Sequence, residues 1–149
     1  MLRLLLVLAA LILAAPASAQ QAAEAVDTRI DTVLGNHVPY EAAYVDLKAA
    51  LEANDQDALA ALFPIGGGFR LNGTEVNFAT ADEAKAKLGE MLTDKVKEAV
   101  LAQAYEALFV NADGVMFGTG QVWLGGICKD EACKDFDVRI IAINNSPAP

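Results

Sequence analysis

Two cysteines, one histidine and a scatter of acids and tyrosines are the residues through which this chain could do chemistry. Cys128 and Cys133 flank the charged patch "KDEA" within "GGICKDEACKDF". A thioredoxin-like redox centre spaces its thiols by two residues and uses a helix start to depress one thiol pKa, so a four-residue gap between strand-like segments does not suit it. Zinc wants four ligands, and the one other soft donor is His37, about ninety residues earlier, with no acidic spacing to complete a set. Ser- or Cys-based nucleophilic catalysis needs a histidine base, but no local motif surrounds His37, which reads as a loop residue. "PIGGGFR" lacks a following Lys-Ser or Lys-Thr and leads into a strand, so it is a bend rather than a phosphate cradle. Asn72-Gly73-Thr74 matches a glycosylation acceptor, yet the Asn-Gly pair is fully explained as a turn.

The environment of the cysteines follows from the first residues. "MLRLLLVLAALILAAPASAQ" has one early positive charge, an apolar run of 12 residues from Leu4 to Ala15, and small residues at Ala17 and Ala19. That pattern predicts a signal peptide over residues 1–19, cleaved after Ala19, because a bilayer span needs about 20 apolar residues. The expected location is the periplasm or the exterior, with no membrane attachment after cleavage. In an oxidising compartment an even pair joined by a short polar loop is ordinarily a disulfide, so Cys128 and Cys133 are expected to be bonded.

Loss of Arg3 with the leader leaves 10 basic against 20 acidic residues, a balance of −10. The basic residues are scattered singly or alternate with acids, which argues against nucleic acid, whose binding draws on clustered Lys and Arg. About 130 mature residues build one core. The expected organisation is a flexible segment over 20–37, a domain over 38–144 and a loose tail over 145–149.

The elements that must position any site follow from periodicity. "PYEAAYVDLKAALEAN" puts Ala43, Tyr44, Leu47, Ala50 and Leu51 on one helical face, with Pro39 in the first turn and Asn54 at the end. Leu59, Leu62 and Phe63 predict a short second helix stopped by Pro64. "FRLNGTEVNF" predicts a hairpin about Asn72-Gly73, Thr80 with Glu83 a capped helix to about Leu92, and Thr93 a further one. The period then changes to two: "AYEALFVN" is a strand, "NADG" a turn, "VMFGTGQVWLGGI" one long strand bent at Gly118 and Gly120, and "FDVRIIAIN" the last strand. Helices, a hairpin, helices and an antiparallel meander make an α+β domain with helices on one sheet face.

This order, the pairing of "EANDQDALAALFP" with "NGTEV", and "NADGVMFGTGQVWLGGI" followed by "VRIIAIN" resemble the nuclear transport factor 2-like superfamily over roughly residues 38 to 144. That superfamily includes SnoaL-like and ketosteroid-isomerase-like domains, and the likeness points to a secreted bacterial branch with a cysteine pair before the last strand. The resemblance implies a curved antiparallel sheet wrapped around helices, a cone with a pocket at its open end, and pairing as a homodimer through the exposed sheet face. Isomerase-type chemistry needs a carboxylate base and acidic donors in an apolar pocket. Asp46, Asp137, Tyr40, Tyr44 and Tyr105 supply the residue types, but none matches the isomerase motif position by position, and Asp46 falls on the polar side of its helix.

Phe117, Thr119 and Trp123 are expected to share one strand face. Tyr44, Tyr105, Phe117 and Trp123 are then the expected pocket-lining residues, either bordering the hollow or filling it. The resulting expectation is a non-catalytic domain that binds a small apolar ligand or a protein partner, without cofactor or metal. The alternative is a SnoaL-like or isomerase-like acid–base enzyme acting on a hydrophobic small molecule.

Overall fold

The computed structural model describes residues 17–145; most of the expected signal peptide and the tail beyond Asn145 lie outside them. In chain order the elements are α1 (Ala17–Leu34), α2 (Val38–Ala53), α3 (Gln56–Ala61), β1 (Phe69–Leu71), β2 (Thr74–Val76), α4 (Ala81–Met91), α5 (Asp94–Ala102), a 3-10 turn (Tyr105–Ala107), β3 (Phe109–Asn111), β4 (Gly114–Phe117), β5 (Val122–Cys128) and β6 (Phe136–Ile143). This is an α+β fold whose helices pack against a curved, unclosed six-stranded sheet of order β2-β1-β6-β5-β4-β3. The sheet is mixed rather than wholly antiparallel. Its two halves meet where β1 runs parallel to β6, with Arg70 opposite Ala142 and Leu71 opposite Ile143.

Local chemistry sets most element ends. Asn54 closes α2 in the left-handed region at φ 51°. Asn72 and Gly73 turn the β1–β2 hairpin at φ 51° and 80°, the two positive angles such a two-residue turn requires. Thr80 Oγ1 accepts from Glu83 N, while Glu83 reaches back to accept from Ala79 N at 2.8 Å, so the reciprocal cap extends one residue further upstream than expected.

Three expectations need correction. Residues 20–37 are not a flexible lead-in: most of them form α1, which is anchored because Val26 and Ile30 are buried against the body of the protein. Asn145 is not loose either, since its backbone N–H donates to Asn72 Oδ1 at 2.8 Å and its side chain to Glu90 O at 3.1 Å. The supposed single long strand is the hairpin β4–β5, with Phe117 opposite Val122. Gly118 and Gly120 take φ 61° and 112°, and this turns the chain back on itself where a bulge was expected. The actual irregularity lies on β6: Trp123 pairs with Ala142 and Leu124 with Ile140, which leaves Ile141 as an extra residue that bends the sheet.

The core lies between the sheet and the helices. Phe63, Phe69 and Phe78 form a triad with ring centroids 5.1 to 5.9 Å apart, joining the end of α3 to β1 and the segment after β2. Leu47, Val96, Val100, Leu124, Ile140 and Ile143 fill the rest, and no polar or charged residue is fully buried among the described residues. At Gly114 a side chain is impossible, because a Cβ would sit 2.1 Å from the Leu124 carbonyl oxygen and force β4 off β5.

Candidate functional site

Of the four residues expected to line one pocket, three come together. The Tyr44 ring on α2 stacks on Phe117 at 5.7 Å and meets Tyr105 edge-on at 5.2 Å. The cluster is solid: Phe117 is 0% exposed, so it fills the space between sheet and helix. Trp123 lies across the sheet from it. Phe117 and Trp123 were expected on one strand face, but the β4–β5 turn pairs Phe117 with Val122, and the next pair, Met116 and Trp123, points to the other side.

Gln103, which sequence reasoning passed over, is the polar hub beside this cluster. Its backbone carbonyl accepts from the Tyr44 hydroxyl and from Lys48 Nζ, both at 2.8 Å, and its side-chain oxygen accepts from Gly118 N at 2.8 Å. Lys48 stands one helical turn after Tyr44 and lies 5.2 Å from the centre of that ring. A lysine at that spacing was the one local signal available.

The Tyr105 hydroxyl donates to Asp27 Oδ1 at 2.6 Å. Burial, and then the neighbouring Asp27 carboxylate, push the Tyr105 pKa well above its usual value, so the hydroxyl keeps its proton. Neither residue lines any of the four main hollows of the surface. The couple ties α1 to the 3-10 turn, and the hollow of about 400 Å³ between these elements is lined by its sequence neighbours Val26 and Glu106 rather than by the couple itself.

The other acid–base candidates are similarly committed. Tyr40 is buried against Phe136, and that burial raises its pKa. Asp46 is exposed on α2. Asp137 bridges Lys129 at 3.2 Å and Arg139 at 3.1 Å on the surface. His37 caps the junction of α1 and α2: its Nδ1 lies 2.8 Å from Asp31 Oδ1, and its backbone N–H donates to the same oxygen at 2.7 Å. That hydrogen bond raises the histidine pKa and lowers the aspartate's. Cys128 and Cys133 are bonded to each other and close the β5–β6 connection. No group of three or more metal-ligating side chains gathers among the described residues.

Space for a ligand occurs elsewhere. A cleft of about 440 Å³ opens between the β1–β2 hairpin and α4, a volume within the roughly 300–1,000 Å³ range of ligand pockets. Leu71, Val76, Phe78 and Met91 form its floor, and Glu83, Lys87 and Glu90 stand at its rim. Lys87 pairs with Glu90 at 3.1 Å, and the Glu83 carboxylate is taken by the Ala79 amide, so the rim charges serve each other and the backbone. The chain matches no protein-family model, no curated protein and no solved structure.

Proposed function

We propose that the protein is a secreted or periplasmic, non-catalytic binding domain of the nuclear transport factor 2-like kind, which holds a small apolar ligand in the cleft between β1–β2 and α4. The observation that carries this reading is the contrast between a filled interior and an open apolar cleft. Phe117 and Tyr44 occupy the space where isomerase-type chemistry would need a hollow, while Leu71 and Val76 remain partly exposed between hairpin and helix. Burying apolar surface of that kind is worth about 25 cal/mol per Å². The enzyme alternative would draw on the Tyr105–Asp27 couple, yet neither of its residues lines any of the four hollows described.

Export through a signal peptide over residues 1–19 accords with the disulfide and with the finding that no described helix is long and apolar enough to cross a membrane. Cleavage after Ala19 shortens α1 by three residues yet keeps Val26, Asp27 and Ile30, the side chains that dock it. The test uses N-phenylnaphthylamine, an uncharged fluorophore that brightens in apolar surroundings. The expected result is saturable enhancement that is lost in Ala86→Trp, which closes the cleft mouth without touching the core. Absence of saturation, or an undiminished response in Ala86→Trp at unchanged melting temperature, refutes the proposal.

A further inference from the structure

The outer face of the sheet carries one unbroken row of opposed residues across all six strands: Phe109, Met116, Trp123, Ala142, Arg70 and Glu75. Five of the six are large. Ala142 is the exception, and it stands between the indole of Trp123 and the guanidinium of Arg70. Adjacent strands lie about 4.8 Å apart, so those two side chains rise roughly 10 Å from each other with a single methyl group on the floor between them. The result is a hollow of about 570 Å³, closed at its sides by Glu75, by Asp113 of the β3–β4 turn and by Asn144.

The walls are prepared for a polar, flat occupant. Trp123 is half-buried, and Phe109 packs against it edge-to-face at 6.4 Å, which fixes the indole from the side away from Arg70. Arg70 and Glu75 are exposed and directly opposed, yet neither side chain makes a hydrogen bond or ion pair among the described residues. Asn144 is held by its own donation to Gly120 O at 2.7 Å. An apolar ligand here would cover the charged Arg70 and Glu75 and offer them no hydrogen-bond partner, which disfavours it against a polar one. One cation faces two carboxylates, so an anionic ligand is repelled.

We propose that this hollow binds a neutral sugar, a pyranose ring stacked on Trp123 with its hydroxyls shared between Arg70, Glu75 and Asp113. A pyranose has a face of polarised C–H groups, which the electron-rich indole face attracts. Its rim of vicinal hydroxyls both donates and accepts. A guanidinium offers five donors in a fixed fork and a carboxylate offers paired acceptors, so the two together satisfy both roles. The site is separate from the β1–β2/α4 cleft and does not depend on what that cleft holds.

Trp123 is the only tryptophan in the chain, so intrinsic fluorescence reports this site directly. The full mature protein is titrated with maltotriose, cellotriose and the trimer of N-acetylglucosamine to about 10 mM, a range that detects even weak, millimolar binding. The expected result is a saturable change in Trp123 emission with at least one of them and none with trigalacturonate. Ala142→Leu, which fills the floor and keeps the fluorophore, should weaken binding about tenfold or more, and Arg70→Ala similarly, at unchanged melting temperature. Should either variant fail to fold, Glu75→Ala, at an exposed edge-strand position, gives the same readout.

No saturable change with any of the three neutral sugars overturns the proposal. Equal response to the acidic trimer does so too, as does binding indifferent to all three substitutions. A homodimer that forms through this face and is broken by Trp123→Ala would mean that the hollow is covered by a second copy, which also overturns it.

Discussion

Replacing Ile30 by alanine tests whether α1 belongs to the domain or merely leans on it. Ile30 is 0% exposed, whereas Val33, three residues later on the same helix, is 43% exposed. The substitution removes three carbon groups from the core, worth about 0.8 kcal/mol each on transfer, or roughly 2.4 kcal/mol. The void left behind raises that to about 3 to 4 kcal/mol, within the 2–5 kcal/mol found for such truncations. At roughly 4 °C per kcal/mol for a domain of this size, the melting temperature should fall by about 12 to 16 °C. Val33→Ala, on the exposed face, should change stability by no more than about 0.5 kcal/mol.

Urea unfolding followed by far-ultraviolet circular dichroism and by Trp123 fluorescence gives both numbers and shows whether the two probes lose structure together. A loss below about 1 kcal/mol for Ile30→Ala, or a far-ultraviolet transition preceding the fluorescence one in the wild type, would mean that α1 unfolds on its own. The account of the filled interior would then fail with it, because α1 carries Asp27, the partner of Tyr105.

Two further outcomes follow from the same geometry. The ring closed by Cys128 and Cys133 spans only the β5–β6 connection, and for about six residues the chain-entropy model gives about 2 kcal/mol, so the double serine variant should fold and melt roughly 8 °C lower by calorimetry. The raised pKa of Tyr105 means that the folded protein holds a proton the unfolded chain releases near pH 10, so stability should fall as pH rises above about 10. In Tyr105→Phe that decline should be shallower in urea melts at about pH 9 and pH 11, Tyr40, Lys85 and Lys129 supplying the remainder; an unchanged slope would show that Tyr105 is not held as described.

The sequence was most informative where one residue type has one physical use. Asn72-Gly73, Asn54 and the Thr80–Glu83 cap all sit where their side chains and φ preferences dictate, and the α+β class followed from the change of period. It misled where one residue type has several uses. Gly118 and Gly120 were compatible with a bulge and with a reversal, and only pairing across the whole sheet selects the reversal. That choice put Trp123 on the opposite face from Phe117, so the expected four-residue pocket divided into a packed interior cluster and an outer hollow. Helix α1 was hidden because its alanine-rich start resembles a loose leader, and its anchors Val26, Asp27 and Ile30 gain meaning only beside Tyr105, nearly eighty positions away. Arg70 and Ala142 could not be read as neighbours at all, because the parallel contact that joins them links strands from opposite ends of the domain.

That contact also governs when the domain can exist. β6 is the last strand in chain order among the described residues, yet it lies inside the sheet, between β5 and β1. Until Phe136–Ile143 has been synthesised, the β1–β2 ribbon and the β3–β5 meander have nothing to join them, and small isolated ribbons are marginal in water. A chain that lacks β6 therefore cannot join its two ribbons, and the sheet is completed only when that strand is in place.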